Sequence, residues 1–185
     1  MMQLGRITLN PFWSFTFQFV AWSFVLFGLI YFEDFSPLVF INNLQTDLTA
    51  YLTHGWILLF NIDINMKEAL LTFENGLKLR IVNECNGLAA FLVFLAAVIA
   101  YPTSKKEKLF WIFLSYFILL IANAVRLDWI AYHVIENPED FKFAHEVLGR
   151  YIIASIPLFL FYIFSTNVSI NSKTKPDYVA SLPTI

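Results

Sequence analysis

Residues Phe12–Phe32, FWSFTFQFVAWSFVLFGLIYF, form an apolar run whose most polar member is Gln18. As a helix rising about 1.5 Å per residue, it is long enough to cross roughly 30 Å of hydrocarbon. Inside a bilayer each backbone N–H and C=O must be satisfied within its own element, so the run commits the chain to helical spans. Composition extends this to the whole chain. Of 185 residues, 58% are hydrophobic and only 14% charged, against roughly a quarter charged in soluble domains. The expected fold is an all-α polytopic membrane protein, with a single integral membrane domain over residues 1–165 and a polar tail over 166–185. The run is longer than a secretory signal core and lacks a small-residue cleavage site, so it reads as a retained span. A net charge of −2 leaves no footprint for nucleic acid. One cysteine excludes an internal disulfide or a multi-cysteine metal site.

Three further runs are span candidates: Gly87–Tyr101, Leu109–Val125 and Val147–Phe164. The first of these is short, near 23 Å at helical rise. Leu48–Ile62 carries His54 and Asn61 and is expected to lie at the interface as a surface or re-entrant helix. The count is thus four to five transmembrane helices. Asn75-Gly76 marks a turn and LKLRIV alternates apolar and basic residues, so a short hairpin is expected outside the membrane between the first two main spans. A polar loop is expected after Val125, with a short surface helix over WIAYHVI.

Orientation follows from the compact Lys105, Lys106, Lys108 loop, which belongs on the cytoplasmic side. Arg6, Lys173 and Lys175 agree, and the polar tail is then cytoplasmic. The opposite side also carries basic residues, Lys67, Lys78, Arg80, Arg126, Lys142 and Arg150, so the assignment rests on the loop and not on the total. It requires that residues 33–85 cross the membrane an even number of times or not at all.

With that topology, Cys85, Arg126 and His145 fall at the outer ends of three different spans. A thiol attacks as its thiolate. A helix N-terminus favours that anion, desolvation opposes it, and a nearby cation tips the balance. An imidazole can take the thiol proton and return one to a leaving amine. A guanidinium can stabilise an oxyanion or hold a carboxylate. Asn86-Gly87 are capping candidates, and Gly87 would allow close backbone approach. Asn123, an amide one turn inside a span, needs a partner in Arg126 or nearby backbone. Each group has an ordinary role as well: a lone cysteine is usually a small buried hydrophobe, and an arginine ending a span usually snorkels. Their convergence favours the chemical reading. His133 and His54 compete with His145 as base. Arg150 is a second candidate cation, with Glu146 or Glu84 as neutralising partners. Asp128 can pair with Arg126 or orient a histidine. Beside Cys85 no His and carboxylate pair has ligand spacing, so no metal and no cofactor is expected.

ECNGL (Glu84–Leu88), NAVR (Asn123–Arg126) and Ala144-His145, in that order and at span ends, resemble the motifs of the exosortase/archaeosortase family. The short chain with a core over residues 70–165 is most like exosortase F. Asn86 departs from the serine or threonine common at that position. The resemblance implies a membrane-embedded cysteine protease/transpeptidase of the cytoplasmic (inner) membrane, with Cys85, Arg126 and His145 as its site on the non-cytoplasmic face. It also implies partners: exported proteins whose C-terminal sorting signal joins a short motif, a transmembrane helix and a basic tail, with membrane lipid as one possible acceptor. Two other classes compete. One is a non-enzymatic polytopic subunit of an envelope export or assembly complex. The other is a small transporter, disfavoured because no span has a buried carboxylate near its midpoint.

Overall fold

The computed structural model describes residues 11–32, 34–60, 62–137, 139, 141–146 and 151–174. Its elements are α1 (Pro11–Ile30), α2 (Val39–Leu59), β1 (Ile64–Lys67), β2 (Leu70–Phe73), β3 (Lys78–Arg80), α3 (Leu88–Ala100), α4 (Lys105–Glu136), α5 (Phe141–Phe143) and α6 (Tyr151–Thr174). The chain is an all-α polytopic membrane protein that carries one small sheet. Helices α1, α4 and α6 are long and apolar enough to cross a membrane, and α3 is a shorter apolar helix packed among them. At 13 residues α3 spans about 20 Å, less than the hydrocarbon thickness.

The spanning helices are welded by aromatic and branched side chains toward the C-terminal end of α3. Phe94 and Val98 of α3, Leu119 of α4, and Leu160 and Phe164 of α6 form one buried cluster. Tyr101 and Trp111 meet the Phe164 ring edge-on, and Phe15 stacks on Phe161 to bring in α1. Such pairs add about 0.5–1.5 kcal/mol each beyond area burial.

Helix α4 begins on a capping box: the Ser104 hydroxyl accepts from the Glu107 N–H and donates to the Glu107 carboxylate. It does not stop near Val125. The loop expected after that residue is helix as far as Glu136, for 32 residues in all. No glycine or proline interrupts it, and Leu127, Ile130, Ala131 and Val134 recur at helical spacing and are buried. Asn137 ends it with its N–H on the His133 carbonyl. At helical rise α4 reaches about 48 Å, well beyond the hydrocarbon.

The interfacial helix expected over Leu48–Ile62 is α2, which starts nine residues earlier, at Val39. Its inward side is polar: Asn42, Gln45, Thr46, Thr49 and Thr53 are buried while Phe40, Leu44, Tyr51 and Leu59 are exposed. Unlike α1, α4 and α6, it is not long and apolar enough to cross. Both ends of the segment between α1 and α3 lie at one depth, because Asn42 bonds both the Tyr31 carbonyl and Asn86.

The expected hairpin is β2–β3, closed by Gly76 at φ +83° with its N–H on the Phe73 carbonyl. A third strand, β1, pairs antiparallel with β2. Leu71, Phe73 and Ile81 on the inner face pack on Ala50 and Ile57 of α2 and on Leu127 and Ala131 of α4. The sheet thus caps the end of the bundle at which α3 begins. Helix α6 continues to Thr174, ten residues beyond the end expected for the last span. Arg6, Arg150 and Lys175, and with them the final stretch of the tail, lie outside the described residues.

Candidate active site

Strand β3 delivers the chain into a single 3₁₀ turn, Asn83–Cys85, and two residues later α3 begins. Asn86 makes that entry possible. Its Oδ1 accepts from the Leu88 N–H at 2.8 Å, an Asx turn that satisfies the first free N–H of α3. Its Nδ2 donates to the Asn42 carbonyl, to Asn42 Oδ1 at 2.7 Å and to Thr46 Oγ1 at 2.9 Å. The Asn86 carbonyl accepts from Gln45 and Thr49. Tyr116 of α4 holds the other end of the Gln45 amide.

The preceding carbonyl, that of Cys85, is held from the opposite side, accepting from Asn123 Nδ2 at 2.9 Å. Asn123 Oδ1 in turn accepts from the Arg126 guanidinium at 2.9 Å. Asn123 therefore meets both contacts expected of it, arginine and backbone. Gly87 has φ +79°, and a Cβ there would stand 3.0 Å from Asn123 Cγ. Its lack of a side chain is explained by this approach and by the left-handed backbone.

His145 arrives on a π-helical turn over residues 144–146 that directly follows α5. Its ring stacks on Phe141 at 5.4 Å, and its Nε2 stands 3.2 Å from Cys85 Sγ. Cys85 is only 8% exposed. It lies outside the membrane-spanning helices, and burial pushes its thiol above the ordinary range. The Arg126 charge and a hydrogen bond from its guanidinium pull the other way, while the Glu84 charge adds to the rise. Burial wins, so the resting thiol is protonated at neutral pH, and the cation limits the rise without reversing it. A 330 Å³ cavity opens on this pair, bounded by Arg80, Val82, Glu84 and Leu127.

The structure thus gathers Cys85, Arg126, His145, Asn123 and Gly87. It does not bring His133 to the thiol: that ring stacks on Trp129 at 5.5 Å. Asp128 neither pairs with Arg126 nor orients a histidine. It is buried, its oxygens make no hydrogen bond, and it lines a separate 440 Å³ cavity with Trp56, Phe60 and Trp129. Among the described residues, no three His, Cys, Asp or Glu side chains are grouped to hold a metal. Sequence reasoning did not find Asn42, Gln45, Thr46 and Thr49. Their signal was there, as a polar stripe at helical spacing opposite an apolar one.

A family model described as transmembrane exosortase matches residues 7–163. Comparison with curated proteins and with solved structures gave no match.

Proposed function

The chain belongs to the transmembrane exosortase family, and on that premise we propose that it is a cysteine transpeptidase acting on C-terminal sorting signals of exported proteins. The observation that carries the reading is the Cys85–His145 contact at 3.2 Å, beside an arginine fixed by Asn123. Cys85 is the nucleophile, His145 the base and Arg126 the oxyanion partner.

As Cys85 Sγ bonds to the scissile carbonyl carbon, its proton passes to His145 Nε2. The carbonyl oxygen takes up negative charge facing Arg126. The C–N bond then breaks, and the leaving amine takes the proton from His145, which leaves a thioester on Cys85. An acceptor nucleophile gives its proton to His145, attacks the thioester and restores the thiol. Asn123 and Gly87 are positioning residues. Arg150 remains a proposed second cation.

The site's height fits a membrane-anchored substrate. Arg126 is the 22nd residue of α4, about 32 Å along the helix from Lys105 and so near the far edge of the hydrocarbon. A substrate held by its own span presents the adjoining motif at that level, and shared anchoring raises its local concentration. With Lys105, Lys106 and Lys108 in the first turn of α4 on the cytoplasmic side, the site faces away from the cytoplasm in the inner membrane. The compact core, the tail beyond residue 165 as a cytoplasmic appendage, and the exosortase F subtype belong to the same proposal.

The test is co-expression with a candidate sorting-signal protein, scoring its processing and a hydroxylamine-sensitive acyl adduct on Cys85. Wild type forms the adduct. Cys85→Ala abolishes processing, and His145→Ala slows it by about 10²-fold or more. Normal processing in Cys85→Ala would sink the enzymatic reading and favour the non-enzymatic subunit.

A further inference from the structure

The sheet has two edges, and one of them runs directly into the candidate nucleophile. In the order β1-β2-β3, strand β3 pairs only with β2. The register fixes which of its backbone groups are used. Phe73 donates to the Leu77 carbonyl and Ile81 to the Ala69 carbonyl. Leu79 opposite Leu71 shares that phase. Alternation then points the N–H and C=O of Lys78 and Arg80 away from β2. No hydrogen bond among the described residues uses them outward. Val82 continues the extended path at φ −105°, ψ 165° and leads to the 3₁₀ turn that ends at Cys85.

Open space accompanies this edge. One 330 Å³ cavity lies among Lys78, Arg80, Ala131, Val134 and Phe141. A second, of the same volume, shares Arg80 and Phe141 and reaches Cys85 and His145. Together they make a trough between β3 and the helices α4 and α5. One wall offers backbone donors and acceptors at a strand's repeat. The other is apolar, with Leu127, Ile130 and Val134.

We infer that β3 is the substrate-docking strand: the sorting-signal segment next to the scissile bond adds to its free edge as an extended strand, which threads the peptide between Cys85 and His145. The inference rests on the cysteine transpeptidase reading and names the substrate's bound form. Only an extended chain supplies alternating N–H and C=O groups at the spacing of such an edge. Recognition through the backbone sets the peptide's register, and alternate side chains facing the α4 wall set its preference for apolar residues. The β1 edge lies two strands away, next to α2, and does not lead to the thiol.

The test uses the full chain in detergent and an acetylated Val-Ala-Val-Ala chloromethyl ketone, which alkylates a thiol. Four versions carry one backbone N-methyl group each, and chloroacetamide serves as the small control. The expected result is labelling of Cys85 faster than chloroacetamide by about tenfold or more beyond the ratio of the two reagents on free cysteine, with N-methylation harmful at alternate residues only, each by about tenfold. Arg80→Pro, which removes an outward N–H and spares the bonds to β2, slows the peptide reagent by a larger factor than it changes the chloroacetamide rate. Equal sensitivity at all four positions, or a peptide reagent no faster than chloroacetamide, overturns strand addition while leaving the nucleophile intact. A Cys85 inert to chloroacetamide even at alkaline pH overturns the transpeptidase reading and the docking strand with it. The N-methyl series needs no variant, so its outcome does not depend on whether Arg80→Pro folds.

Discussion

Replacing Asn86 by alanine should cost more stability than any other single polar truncation near the site. The two hydrogens of its Nδ2 are shared among three acceptors on α2, and its Oδ1 accepts from the Leu88 N–H, so about three full hydrogen bonds end on this one side chain. Asn86 is 1% exposed, so no water takes their place. At about 1 kcal/mol net per bond, the loss is about 3 kcal/mol. For a chain of this size each kcal/mol moves Tm by about 2–4 °C on soluble-protein scaling, so the expected drop is on the order of 10 °C. Asn86→Asp separates the two roles. It keeps the bond from the Leu88 N–H but sets a carboxyl against the Asn42 oxygens, which disfavours its charged form. Its folded pKa is then raised above the unfolded value, so its stability is best at acid pH and falls as pH rises from the unfolded carboxyl value of about 3.9 through the raised folded value. Thermal unfolding in detergent, followed by tryptophan fluorescence and by a thiol-reactive dye on the sole cysteine, reads both variants. A Tm for Asn86→Ala within about 2 °C of wild type would refute the additive reasoning. So would an Asn86→Asp protein with no pH dependence beyond that of wild type.

Arg126→Leu removes the cation that pulls the Cys85 thiol down, so the pH midpoint of its alkylation by chloroacetamide should move up, whereas Glu84→Gln should move it down. Opposite or absent shifts would contradict the charge assignment. Gly87→Ala meets a left-handed backbone costing about 1–2 kcal/mol and a contact with Asn123. It should lower Tm by several degrees and reduce acyl-adduct formation on Cys85, even though the thiol remains. Leu71→Ala, at a position with no exposure, should cost about 2–5 kcal/mol and speed Cys85 alkylation by loosening the cluster they share.

The convergence of Cys85, Arg126 and His145 was legible because it needs only span order and span ends. The β2–β3 turn was legible because Asn75-Gly76 is chemically distinctive. Three features were not. The β1–β2 connection runs through Glu68-Ala69, with Glu68 at φ +57°, and carries none of the residues that usually announce such a turn. The C-terminal third of α4 holds Arg126, Asp128, His133 and Glu136, and that polarity outweighed the buried stripe of Leu127, Ile130, Ala131 and Val134. In α2 the usual direction of burial is reversed. Its polar stripe faces a loop rich in backbone groups and its apolar side faces outward, so Asn42 through Thr46 resembled a linker. Within the candidate site, the choice of His145 over His133 depended on whether residues 126–136 were loop or helix. The helix carries His133 into a stack with Trp129.

Helix α2 contributes nothing to the thiol, the imidazole or the guanidinium, yet four of its side chains grip Asn86. A greasy interface can slide by a fraction of a turn and repack. A set of directional bonds has one setting, and α2 works as an indexing pin for the backbone beside Cys85. Adding a residue to the connection over 31–38 should therefore be felt at the thiol, through stretched geometry or a lost index. The same insertion at Asn75-Gly76, on the rim of the sheet, should pass unnoticed there.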